Sequence, residues 1–380
     1  MHQGMEGAEP QFLQALDLTE SELNDIDRRT SILNLPNAFS RKPRSLKEKG
    51  RFKANEYRDL IFYGIYAFHD TLSENDFDIW CLLTSVLSTA TKDTIDKSDI
   101  TALEKECPML ISKLYDRFGP QFMTYNIHLF NHYPRTARLL GNLTQYCAFM
   151  GENDIGRLVG SIKGSYQGCR ELANNIALSD ITEYLAETLN KDEVPRNILA
   201  LIDEASRTTY HASPHYVQGC CLLRQQKDLQ HLRKKDYAAW KCLYDYLNAE
   251  QLIEEVGWLT GHTYQRAIVQ QFCLSSKTSS TDSDANSLFY VNEKILKIKY
   301  IASMDNKPDA GAFFICQKIS TLPGKPFDIQ YHVPCFFLTT VSNEIEVISG
   351  STFSGIALKL PGENNVDISV LLPSLLYQID

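Results

Sequence analysis

Residues 275–300 read SSKTSSTDSDANSLFYVNEKILKIKY, and the change of character inside that stretch decides the fold class. From Ser275 to Ser287 the chain is dominated by Ser, Thr and Asp, a composition that predicts a flexible linker or long loop. Further on, Leu296, Ile298 and Tyr300 alternate with Lys297 and Lys299, the period-two pattern of a half-buried strand. Gly311 to Ile319, Cys335 to Val341, Glu344 to Ile348 and Gly355 to Leu360 continue as short β-rich runs divided by Gly and Pro. Several short strands at such spacing predict a small barrel or sandwich.

Upstream of the switch the period is helical. Thr19-Glu20-Ser21-Glu22 is a capping box that opens a helix toward Arg29. Tyr57, Leu60, Ile61, Gly64, Ile65 and Phe68 fall on one helical face, which predicts a core helix. Ser73 starts another helix through Trp80 and Leu87, and Thr101 caps a third that ends near Gly119-Pro120. Helices are also expected over 121–140, 152–163, 169–189 and 195–208, and around Trp240, Leu243, Tyr244 and Leu247. The expected fold class is therefore α+β, a mainly helical N-terminal region followed by a small all-β barrel- or sandwich-like domain. Its divisions are an N-terminal helix and loop (1–35), a helical domain (36–270), a linker (271–287) and a β domain (288–380).

Composition narrows the function. With 43% hydrophobic and 22% charged residues in 380, the chain has the make-up of a globular protein with core enough for two or three domains. A net charge of −9 argues against the whole surface gripping nucleic acid, because that grip rests on Lys and Arg neutralising phosphates. The longest apolar run, Leu60 to Phe68, falls far short of the roughly 20 residues of a membrane span, and no signal peptide is legible. An intracellular protein with no membrane partner is expected. The ten scattered cysteines form no Cys-x-x-Cys pair and are read as buried reduced thiols.

Three motifs in order resemble the C-terminal region that follows the catalytic core in CACTA (En/Spm)-type DNA transposases. The first is Pro43-Arg44-Ser45-Leu46 with Phe52-Lys53-Ala54-Asn55-Glu56-Tyr57-Arg58. The second is Met123-Thr124-Tyr125-Asn126-Ile127-His128-Leu129. The third is Ala148-Phe149-Met150-Gly151-Glu152-Asn153-Asp154-Ile155-Gly156-Arg157-Leu158, ending in Ser161-Ile162-Lys163-Gly164-Ser165. Together they cover about 35–180, and the similarity of the β part is one of outline only. Departures are Gly151 where the family carries an aromatic, Ile155 in place of Asn and Lys163 in place of His. The resemblance implies a nuclear, transposon-derived protein.

Such transposases cut DNA with two Mg²⁺ ions clamped by a carboxylate triad, which a single acid cannot hold. By the resemblance, Glu152 is the candidate third acid, and the two earlier ones would lie upstream of Met1. The more ordinary reading of Glu152 is a helix N-terminal carboxylate favoured by the dipole. No other cofactor is implied, and Mg²⁺ would enter only if another subunit completed the set.

Two further clusters are candidates. His128 and His132 stand four apart, at metal-ligand spacing, with Cys147 and Glu152 the nearest plausible partners. The alternative is that they are core histidines hydrogen-bonded to backbone. Arg41, Lys42, Arg44, Lys47, Lys49, Arg51 and Lys53 form the densest basic run, with Glu48 the one acid inside it. It reads as a phosphate-binding or nuclear-targeting segment, or as a solvated loop. Arg224, Lys227, Arg233, Lys234 and Lys235 make a weaker patch, read as an exposed helix face. The expected function is a non-catalytic DNA- or protein-interaction module. The rivals are a split-transposase subunit giving Glu152 in trans, and a peptide-binding adaptor with an aromatic cage drawn from Phe289, Tyr290, Phe313, Phe314, Phe336 and Phe337.

Overall fold

Thr19 begins the first long helix as its side chain requires: the hydroxyl accepts from Glu22 N at 3.3 Å, and Glu22 Oε2 accepts from Thr19 N at 2.7 Å. The structure is a computed structural model that describes residues 7–146 except Ser40, positions 159, 162, 168–174 and 176–177, and residues 215–373. From the last range 219, 254–258, 271, 277–283, 293, 306 and 363–365 are excepted. Residues 1–147 and 214–378 belong to one compact unit and residues 148–213 to a second. The first unit is mixed, with helices in its N-terminal part and an antiparallel sheet in its C-terminal part.

The helices are α1 (Glu9–Ala15), α2 (Glu20–Ser31), α3 (Ala54–Phe68), α4 (Glu74–Thr91), α5 (Lys97–Phe118), α6 (Tyr125–His128) and α7 (Tyr133–Leu140). The central pair, α3 and α4, is buried along nearly its whole length. Gly64 lets them touch: a Cβ there would lie 2.6 Å from Trp80 Cζ2. Phe68 and Phe12 close the same site, their ring centroids 4.8 and 6.1 Å from that of Trp80. The α5 helix starts earlier than the Thr101 cap predicts. Asp96 caps it by accepting from Ser98 N and Asp99 N, and the Thr101 hydroxyl donates to Lys97 O inside the helix. Its end agrees with the sequence, because Gly119 takes φ +81. The single helix expected over 121–140 is instead broken into 3₁₀ turns, α6 and α7, with Pro134 setting the first turn of α7.

Strands start well before the expected switch. They are β1 (His215–Val217), β2 (Cys220–Asp228), β3 (Gly261–Val269), β4 (Phe272–Ser275) and β5 (Leu288–Val291). There follow β6 (Lys294–Met304), β7 (Ala312–Thr321), β8 (Phe336–Ser349), β9 (Gly355–Leu360) and β10 (Asp367–Leu371). Thus part of the expected helical span 36–270 is sheet. The polar second half of β2 hides the alternation, and its register with β3 shifts between Gln225 and Asp228. Two helices between these strands, α8 (Leu229–Lys235) and α9 (Tyr237–Ala249), fulfil the amphipathic reading: Trp240, Leu243 and Leu247 pack on Phe313, Ile315 and Val347. The Ser/Thr/Asp-rich stretch is not wholly a linker, since Ser275 and Ser276 are buried at one end and Asn286 and Ser287 at the other.

All pairings among the described strands are antiparallel. The long β6 pairs β5 through Lys294–Lys297, β3 through Ile301–Met304, and β7 through most of its length. Because β7 pairs β8, β8 pairs β10, β10 pairs β9 and β9 pairs β5, the pairing path through six strands returns to β6. The loop between β7 and β8 reaches the helices: Tyr331 OH donates to Asp78 at 2.7 Å, and His332 N donates to Glu106 at 2.7 Å.

Candidate functional site

The basic run 41–53 is an ordered loop, and its order comes from its own cations. Arg44 forks onto Glu56 at the start of α3, Nε to Oε1 and Nη2 to Oε2 both at 2.6 Å, and Nη2 also donates to Arg51 O. Burial would raise the Glu56 carboxyl, but the Arg44 fork and the Lys53 N–H outweigh it and hold the group below its ordinary range. Residues Leu46–Arg51 form a 3₁₀ turn that Ser45 caps, and Asp27 of α2 accepts from Leu46 N at 3.3 Å. Lys49 Nζ donates to Leu13 O, and Lys47 Nζ donates to Asn24 at 2.8 Å and sits 3.5 Å from Glu20. Burial pulls the Lys49 amine down. With Arg44, Lys47 and Lys49 engaged internally, Arg41, Lys42, Arg51 and Lys53 remain exposed on a fixed frame.

The other expected site residues fare differently. Glu152 and Cys147 lie outside the described residues. His128 and His132 come together, with ring centroids 5.2 Å apart, and both are exposed, not core residues. Among the described residues no group of three His, Cys, Asp or Glu could hold a metal ion. Of the six rings weighed for an aromatic cage, Phe289, Phe313, Phe314 and Phe336 are buried in the core. The cage fails on those rings because strand aromatics here pack on each other, Phe289 and Phe314 with centroids at 5.7 Å. Arg233, Lys234 and Lys235 are exposed on α8 as the helix-face reading expects, but Arg224 and Lys227 are exposed on strand β2 and not on a helix, because the polar half of that strand carries no apolar alternation; Arg233 lies over the Trp240 ring at 4.8 Å.

One polar network had no sequence signal. Buried Asp99 accepts from Lys92 Nζ at 2.9 Å and sits 2.8 Å from His332 Nε2. Ser85 Oγ bonds Glu106 and His332 O. His332 lies 233 residues from Asp99 and 247 from Ser85, so neither spacing nor composition could reveal it. The arrangement resembles no nucleophile–base pair, because Ser85 meets the His332 backbone and not its ring. Nearby Cys335 is no ready nucleophile either, since burial pushes its thiol up to about 12. The network joins the 322–335 loop to α4 and α5. The described cysteines are free thiols, and Cys81, Cys107, Cys220, Cys316 and Cys335 are buried. No described helix is long and apolar enough to cross a membrane.

No family model, curated protein or solved structure matches this chain.

Proposed function

We propose that this is a transposase-derived nuclear protein that contacts nucleic-acid phosphates through residues 41–53 and has no catalytic centre of its own. The observation that carries the reading is the loop's construction: three cations clamp it, and four others are held outward on the resulting frame. Contacts of this kind neutralise backbone charge and read no base edges, so binding is sequence-tolerant. On the same reading the returning strand path makes the sheet a small barrel that supports the helices and leaves the loop free to meet a duplex.

The test is a titration of the full chain with duplex DNA at several salt concentrations. If Arg41, Lys42, Arg51 and Lys53 each meet one phosphate, log K falls with log salt at a slope of roughly −3.6. That is a loss on the order of a hundredfold between 50 and 200 mM salt. The quadruple substitution of these residues by Gln removes the slope and the binding together. Salt-independent binding, or equal binding by the quadruple variant, refutes the assignment. The split-transposase alternative, with Mg²⁺ held partly by Glu152, predicts Mg²⁺-dependent DNA cleavage on adding the missing subunit and its loss in Glu152→Gln.

A further inference from the structure

Ser45 sits inside the basic loop, and its hydroxyl holds the loop in two ways. It donates to Asp27 Oδ2 of α2 at 2.5 Å and accepts from Lys47 N at 3.2 Å, which caps the 3₁₀ turn. Asp27 also accepts from Leu46 N at 3.3 Å, so one carboxylate ties two successive loop residues to α2. We infer that Ser45 is a phosphorylation site whose phosphate releases the loop from α2 and switches off its phosphate-binding surface. The effect on DNA rests on residues 41–53 being the phosphate-contacting loop proposed above. The effect on the loop's own structure does not.

The flanking charge suits a kinase. Arg41, Lys42 and Arg44 precede Ser45, and Lys47 and Lys49 follow it, the complement of an acidic substrate groove. Backbone shape agrees with the charge. Residues 42–45 form no helix or strand, and Pro43 disfavours helix at Lys42. Ser45 takes φ −56, ψ 135, so a half-buried hydroxyl is carried on an extended segment. Thr30 and Ser31 also follow two arginines, yet they lie in α2 with their hydroxyls donating to Asp27 O and Arg28 O.

In the step itself, Ser45 Oγ attacks the γ-phosphorus of ATP. The new O–P bond forms as the bond to the leaving oxygen of ADP breaks, and the hydroxyl proton passes to the kinase's base. A donor is thereby replaced by a group of about −1.5 to −2 charges. Dianion and carboxylate can only accept, so the contact of Ser45 with Asp27 is lost and becomes a repulsion. The same group offers the loop's cations an internal phosphate in place of the nucleic acid's. Both consequences weaken binding.

The experiment treats the full chain with Mg-ATP and the catalytic fragment of protein kinase C, a base-directed serine/threonine kinase. Mass spectrometry should find a phosphate on Ser45. Trypsin should then cut within 41–53 at least about fivefold faster than in the unmodified chain, because the tie to α2 is gone. In Asp27→Asn, whose amide can donate to the phosphate, that acceleration should vanish. The salt slope of DNA binding should fall from roughly −3.6 to roughly −1.8, one dianion neutralising two of the four displayed cations. An unphosphorylated Ser45, a phosphorylated chain that trypsin cuts no faster, or equal acceleration in Asp27→Asn overturns the switch. So does a salt slope that phosphorylation leaves unchanged. An unmodified chain that fails to bind DNA overturns instead the function proposed for the loop, and the cleavage rates still decide whether Ser45 controls its structure.

Discussion

Glu9 is a fully buried carboxyl that makes the stability of the fold depend on pH. It lies in the first turn of α1, and neither carboxyl oxygen has a hydrogen-bond partner. Burial first, and the Asp59 charge second, raise its pKa well above the ordinary 4.5. The folded chain therefore holds this group protonated at a pH where the unfolded chain releases the proton. With more protons bound in the folded state, stability falls as pH rises. The contribution is fully present below the unfolded value and is lost up to the folded one. Over that window the penalty grows by about 1.4 kcal/mol per pH unit.

Glu9→Gln keeps the shape, removes the titration and leaves a comparable buried amide. From pH 5 to pH 7 its advantage over the wild type should widen by on the order of 1 kcal/mol or more, at no more than about 1.4 kcal/mol per pH unit. Against a total stability of about 5–15 kcal/mol this is large. Urea unfolding at both pH values, followed by the fluorescence of the buried Trp80, measures it. The two proteins should unfold at nearly the same urea concentration near pH 4.5 and separate steadily above it. A gap that does not change with pH, or a variant less stable than the wild type at pH 7, would refute the reasoning.

Gly64→Ala should cost about 1–3 kcal/mol, since the new methyl falls 2.6 Å from the Trp80 ring, although alanine is the better helix former by about 1 kcal/mol. A thermal melt showing a gain would mean α3 and α4 slide apart freely. Asp99→Asn should destabilise by about 3 kcal/mol at pH 7, because it strips the carboxylate from between Lys92 and His332. Burial alone would raise Asp99, yet His332, the Asp96 N–H and Lys92 outweigh it and hold it low. Its contribution is thus present above the ordinary carboxylate range and lost as pH falls through the folded value, so the variant's deficit in chemical unfolding should shrink in acid.

What could be read from the chain was whatever neighbouring residues decide. Thr19 with Glu22, Gly119, and the stripe of α3 are local signals, and the structure honours them. The start of α5 was misread because two aspartates, Asp96 and Asp99, form the box that Ser or Thr with Glu more commonly forms. The sequence suggests two runs, Cys335 to Val341 and Glu344 to Ile348, where the structure has the single strand β8. In fact the strand continues and the register shift opposite Gln317 and Ile319 absorbs the irregularity. The basic run was visible, but its division into clamp and display was not. Glu56 lies 12 residues from Arg44, and Leu13 lies 36 from Lys49.

The division of labour in the 41–53 loop also answers the objection raised by a net charge of −9. At physiological salt the screening length is about 8 Å, so a phosphate at the loop senses its neighbourhood and not the total. Of the seven cations, Arg44 meets Glu48 and Glu56, and Lys47 meets Glu20. Glu56 is spent on Arg44, and Glu20 on Lys47, before any ligand arrives. The exposed Lys47–Glu20 pair contributes little, whereas buried Glu56 holds Arg44 and with it the backbone that presents Arg41, Lys42, Arg51 and Lys53. Ordering a free loop on contact would cost about 1–2 kcal/mol per residue, and here the fold has already met that cost. Substituting Glu56 should therefore weaken the proposed phosphate contacts even though it removes a negative charge. A simple charge count predicts the opposite sign, and the salt titration of Glu56→Gln separates the two.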